Sequence, residues 1–123
     1  MAWQRRLLAL GATYDGLFGL AMLGAAGETA RLLRVALPGD RTYFHLCGVL
    51  LLILAGLYLL ASREAAWAIP VGWVAGVGRL LGATVLAAHA DSGVVFAVAA
   101  GADAVLGGAH LAASWWAVRE RAA

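Results

Sequence analysis

The run from Val71 to Ala88, VGWVAGVGRLLGATVLAA, decides how this chain is read: it is apolar throughout except for one formal charge, Arg79, near its middle. A helix that crosses a bilayer needs about 20 such residues. An arginine held at mid-bilayer depth costs about 2.5 to 3.5 kcal/mol on insertion scales, so it is expected to meet anions inside the protein. On a helix, Gly72, Ala75, Gly76, Gly82 and Ala83 share the face of Arg79. That face is small, which lets neighbouring backbones pack closely around the guanidinium.

The composition agrees with a membrane. Of 123 residues, 63% are hydrophobic and 13% charged, against about 25% charged in a water-soluble domain. Sixteen glycines in so apolar a chain fit membrane helices, where glycine is enriched. Every basic residue is arginine and, Arg79 aside, they are placed singly or in pairs towards helix ends. That is a pattern of topology determinants and not of phosphate-backbone tracking, so nucleic acid is excluded as a partner. Cys47 is the one cysteine; it supports neither a disulfide framework nor a cysteine-based zinc site, and it reads as a buried small residue. The arginine, alanine and glycine bias points to a bacterium with a GC-rich genome.

The expected fold is all-α: an integral membrane four-helix bundle in a single domain, with helices over residues 7–27, 42–61, 65–88 and 94–118. Asp15 in the middle of the first run argues for a retained helix and against a cleaved export segment. Between the first two spans, Glu28, Arg31, Arg34, Asp40 and Arg41 break the hydrophobicity, and a short interfacial helix ending at Pro38-Gly39 is expected there. Ser62-Arg63-Glu64 reads as a tight polar turn. His89 to Gly93 makes the next turn, with Asp91 or Ser92 capping the last helix. Four spans put both termini on one side. Arg5, Arg6, Arg63, Arg119 and Arg121 then oppose Arg31, Arg34 and Arg41, which favours cytoplasmic termini in a bacterial inner membrane. Trp3, Trp67, Trp73, Trp115 and Trp116, with Tyr43, suit interfacial belts.

Three charges fall within the spans. With helix starts near Leu7 and Ala65 and a rise of about 1.5 Å per residue, Asp15 lies roughly 12 Å deep, Arg79 roughly 20 Å, and Asp103 roughly 15 Å from the opposite surface. An Asp15–Arg79–Asp103 cluster is therefore expected. Two acids to one base would leave a net negative charge in a low-dielectric site, so one carboxyl is expected to hold a proton at neutral pH, with Asp103 the exchanging member and Asp15 the structural one. Asp103, Gly107, His110 and Ser114 form one helical stripe, expected to line a polar cavity running towards the inside. Gly19 and Gly107 each follow an aspartate by one turn and are expected to open room beside it.

Arg79, Asp103, Asp15, His110 and Ser114 are thus the candidate ligand- or proton-binding residues. No catalytic motif, metal site or cofactor is called: H-E-x-x-H, Gly-x-Ser-x-Gly, a P-loop and a cysteine pair are all absent from the sequence.

The order Tyr14-Asp15-Gly16-Leu17-Phe18-Gly19, a Pro-Gly-Asp connector, Tyr43-Phe44 leading to Gly48-Val49-Leu50-Leu51, Gly78-Arg79-Leu80-Leu81-Gly82 and a late Asp103 resembles the small four-helix bacterial membrane proteins of the BphX-like and DoxX-like kinds. The resemblance implies a four-helix membrane fold. The redox association of some DoxX-like proteins is not carried over, because the cysteine chemistry is absent here.

Three functions compete at this stage. The first is a non-enzymatic, oligomeric membrane protein that binds or moves a small or lipophilic solute. The second is an accessory subunit whose glycine and alanine faces contact the helices of a larger membrane complex. The third is a redox or lipid-modifying enzyme using His110 with Asp103.

Overall fold

The computed structural model describes residues 1–37 and 39–122. Its helices are α1 (Ala2–Gly24), α2 (Ala26–Leu33), α3 (Thr42–Arg63), α4 (Ala65–Ala88) and α5 (Val94–Ala122), with a single 3₁₀ turn at Ala90–Ser92. Four of them, α1, α3, α4 and α5, are long and apolar enough to cross a membrane. The protein is an all-α, multi-pass membrane bundle.

The long helices pair as two antiparallel hairpins, α1 with α3 and α4 with α5. At the two crossings stand four pentads of one form, Gly-x-x-x-Leu, one from each long helix: Gly19 to Leu23, Gly48 to Leu52, Gly76 to Leu80 and Gly107 to Leu111. In the first hairpin a β-carbon on Gly19 would stand 2.8 Å from the Gly48 carbonyl oxygen and 2.9 Å from Leu52, and one on Gly48 would stand 3.1 Å from both the Gly19 carbonyl and Leu23. The second hairpin repeats this. A β-carbon on Gly76 would meet Leu111 at 2.6 Å and the Gly107 carbonyl at 3.1 Å, and one on Gly107 would meet the Gly76 carbonyl at 3.0 Å and Leu80 at 3.1 Å. Each glycine lets the partner backbone in, and each leucine covers the facing glycine. In lipid, where apolar side chains gain little by leaving the acyl chains, such close backbone packing is the main force between helices.

Helix ends differ from the sequence reading in definite ways. Helix α1 begins at Ala2 and not near Leu7, and its first turns are tied to α3 at the surface: the exposed Arg5 guanidinium donates to the carbonyls of Ser62 and Arg63 and satisfies the C-terminal end of α3. Ser62 and Arg63 are themselves helical, so the polar turn shrinks to Glu64. From α5, Arg121 donates to the Ala65 carbonyl at 2.9 Å, which carries that helix beyond Val118. The short connector helix α2 ends at Leu33, closed by Arg34 in the left-handed region at φ 54°; the expected end at Pro38 lies outside the described residues. Gly93 stands between Ser92 and α5, and among the described residues no side-chain hydrogen bond from Asp91 or Ser92 caps that helix. Cys47 is exposed on the outer face of α3 and is not a buried packing residue. Trp3, Trp67, Trp115 and Trp116 are exposed at the end of the bundle that holds the termini, and Tyr43 is exposed at the other.

Candidate functional site

Starting α1 at Ala2 changes the depth of Asp15. It lies roughly 20 Å along α1 from Ala2, level with Arg79, which lies roughly 21 Å along α4 from Ala65. The two meet directly: Nη2 of Arg79 donates to both oxygens of Asp15 at 2.9 Å, and Nη1 donates to Oδ1 of Asp103 at 2.6 Å. Arg79 and Asp15 are almost wholly enclosed, whereas the Asp103 side chain keeps 19% of its surface. One guanidinium therefore ties α1, α4 and α5 together. Its plane also sits 5.4 Å from the ring centre of Tyr14 and 5.9 Å from that of Tyr58, cation–π distances that bring in α3. Gly82 is part of the fit, since a β-carbon there would stand 3.5 Å from Oδ2 of Asp103.

Beside the cluster lies a half-open cavity of about 450 Å³ between the hairpins. Its walls are Tyr14, Asp15 and Phe18 from α1, Leu51, Leu54 and Tyr58 from α3, Val74, Gly78, Arg79 and Leu86 from α4, and Ala99 and Asp103 from α5. Val74 and Leu54 are exposed on the outside of the bundle, so the opening faces the surface that lipid would cover.

The stripe on α5 takes a different course from the one expected. His110 and Ser114 are completely buried and neither lines the cavity. Ser114 instead accepts a hydrogen bond at 3.0 Å from Nε2 of Gln4, which also donates to the Ala68 carbonyl at 3.2 Å. This makes a second polar tie among α1, α4 and α5, nearer the termini. Gly72 makes room for it, because a β-carbon there would collide with the Gln4 amide. His110 packs with its ring centre 6.2 Å from that of Tyr58, and among the described residues both ring nitrogens lack a partner. Nor do Gly19 and Gly107 open space for the carboxylates: the facing backbone and leucine fill those positions.

Two contributors were missed from sequence. Gln4 was left outside the first helix, although Gln4, Leu8, Gly11, Asp15 and Gly19 form one buried stripe at helical spacing. Tyr58 sits in a leucine-rich run and carries no formal charge to draw notice.

Among the described residues no group of three or more His, Cys, Asp or Glu side chains is placed to hold a metal ion. The arrangement defines a multi-pass helical membrane protein with a buried arginine–dicarboxylate cluster bordering a lateral, largely apolar cavity. Compared with known proteins, the chain matches no family model, no curated protein and no solved structure.

Proposed function

We propose that this chain is a non-enzymatic protein of the bacterial cytoplasmic membrane that binds a small lipophilic solute between its two hairpins. The observation that carries the reading is the cavity of about 450 Å³, within the range of small-molecule sites, whose apolar walls end on Asp103 and Arg79. Apolar walls hold the body of a solute, and the polar end fixes its orientation. The opening at the lipid-facing surface suits a solute that partitions into the bilayer first. Four helices enclose too little volume for a path across the membrane, so movement of the solute would take more than one copy. The excess of arginine at the end holding Arg5, Arg63 and Arg119 supports cytoplasmic termini. The resemblance to BphX-like and DoxX-like proteins is part of this same proposal.

A second reading, an accessory subunit of a larger membrane complex, draws on the hydrogen bonds by which Arg79 fastens three helices. Filling the cavity separates the two. Gly78 lines it and has nothing within 4 Å of a β-carbon, so Gly78→Phe has room to enter without breaking a helix crossing. Small molecules carried through purification of the intact protein, measured by native mass spectrometry, are expected to fall at least tenfold in Gly78→Phe at unchanged melting temperature. Equal occupancy of the two proteins, or none in either, would set the solute-binding reading aside.

A further inference from the structure

The charge count and the walls of the cavity together narrow the solute. Asp15 engages Arg79 through both oxygens, and Asp103 uses only Oδ1. Among the described residues Oδ2 of Asp103 has no hydrogen-bond donor, and Asp103 is the most accessible of the three charges. With both acids ionised, the site is one positive charge short in surroundings where an unbalanced charge is costly. An anionic solute would double the deficit, and a neutral one would leave it. A metal ion would need several oxygen or nitrogen ligands, and the cavity offers one free carboxylate oxygen. The other walls are aromatic and aliphatic, with Tyr14, Phe18 and Tyr58 beside the cluster. Such surfaces favour cations that are weakly hydrated, because little hydration is lost and the ring faces attract the charge.

Resting on the solute-binding reading above, we propose that the cavity takes a lipophilic organic cation, of the quaternary ammonium or phosphonium type, whose charge the free Oδ2 of Asp103 meets. The groups that face Asp103 are Asp15 and Tyr14 from α1, Tyr58 from α3 and Arg79 from α4.

The test compares three probes of similar shape on the purified full chain by calorimetry: tetraphenylphosphonium, tetraphenylborate and neutral triphenylphosphine oxide. The cation is expected to bind at least tenfold more tightly than either other probe, and Asp103→Asn is expected to lose that preference. The comparison on the unaltered protein stands even should the variant fail to fold. Binding of all three probes with similar affinity, or a cation preference that survives in folded Asp103→Asn, would overturn the cation proposal and leave solute binding in place. Failure of every probe, together with equal small-molecule occupancy of the unaltered protein and Gly78→Phe, would remove both.

Discussion

Gly19 against Gly48 in the first hairpin and Gly76 against Gly107 in the second make the same contact, backbone on backbone with a leucine over each glycine. What differs is the residue just before each leucine: Met22 and Leu51 in α1 and α3, Arg79 and His110 in α4 and α5. The crossing is set by glycine and leucine alone, so the adjoining position is free to carry either an apolar side chain or the ionic centre. Only the second hairpin carries polar groups there. The first hairpin answers from elsewhere on its helices, with Asp15, Tyr14 and Tyr58. The cluster is thus an inter-hairpin device laid over two equivalent crossings.

The largest expected effect comes from exchanging the content of that position. Arg79→Leu leaves two central acids without a base and is expected to cost about 3 to 5 kcal/mol, while the counterpart Met22→Leu, a swap of similar volume, should cost less than about 1.5 kcal/mol. Melting in detergent reads both. Restoring most of the loss in Arg79→Leu by adding Asp15→Asn and Asp103→Asn would show that unpaired charge, and not the missing side chain, is responsible. Equal tolerance of Arg79→Leu and Met22→Leu would break the comparison.

Next come the crossings themselves. Gly19→Ala and Gly76→Ala each press a methyl onto the facing helix and are expected to cost about 1 to 3 kcal/mol. Gly56→Ala and Gly101→Ala meet nothing within 4 Å and should stay within about 0.5 kcal/mol. A large loss in one hairpin with none in the other would mean that the two crossings are not equivalent.

A smaller difference is expected between the acids. Asp15→Asn keeps one of the two oxygens that accept from Nη2 of Arg79 and loses the other with the charge, a charged bond contributing about 1.5 to 3 kcal/mol. Asp103→Asn leaves that pair in place and should melt closer to the unaltered protein. Identical melting of the two variants would show that the acids are interchangeable.

The smallest effect lies in the connectors, a long one between α1 and α3 against the tight turn before α5. At the start of α3, hydrogen bonds from Thr42, its hydroxyl first and then its backbone N–H, hold the exposed Asp40 carboxyl below the usual carboxylate range. A group whose folded value is lowered adds stability above its unfolded value of about 3.9, and that contribution fades as pH falls through the lower, folded one. Melting of the unaltered protein and of Asp40→Ala should therefore differ slightly at pH 6 and converge near pH 2. A constant difference across that range would remove Asp40 as its source.

The sequence by itself determined the number of spans, because run length and apolarity are read directly against bilayer thickness. It also determined that Arg79 meets Asp15 and Asp103, since a lone cation at that depth has no inexpensive alternative. The four Gly-x-x-x-Leu pentads of the crossings were present in the sequence, but Gly16 to Leu20, Gly56 to Leu60 and Gly82 to Leu86 have the same form and make no such crossing, so the motif alone did not single them out. Tertiary structure alone decided which helices pair, that Asp15 stands level with Arg79, that Gln4 holds Ser114, and that His110 and Ser114 are packed away from the cavity. The reason is physical. In water a helix advertises its buried face by its apolar stripe, but in lipid both faces are apolar, and aliphatic side chains such as Leu20, Ile53, Val85 and Val105 point outward as readily as others point in. Helical periodicity then states which residues share a face, and only the packing of backbone on glycine selects what that face will meet.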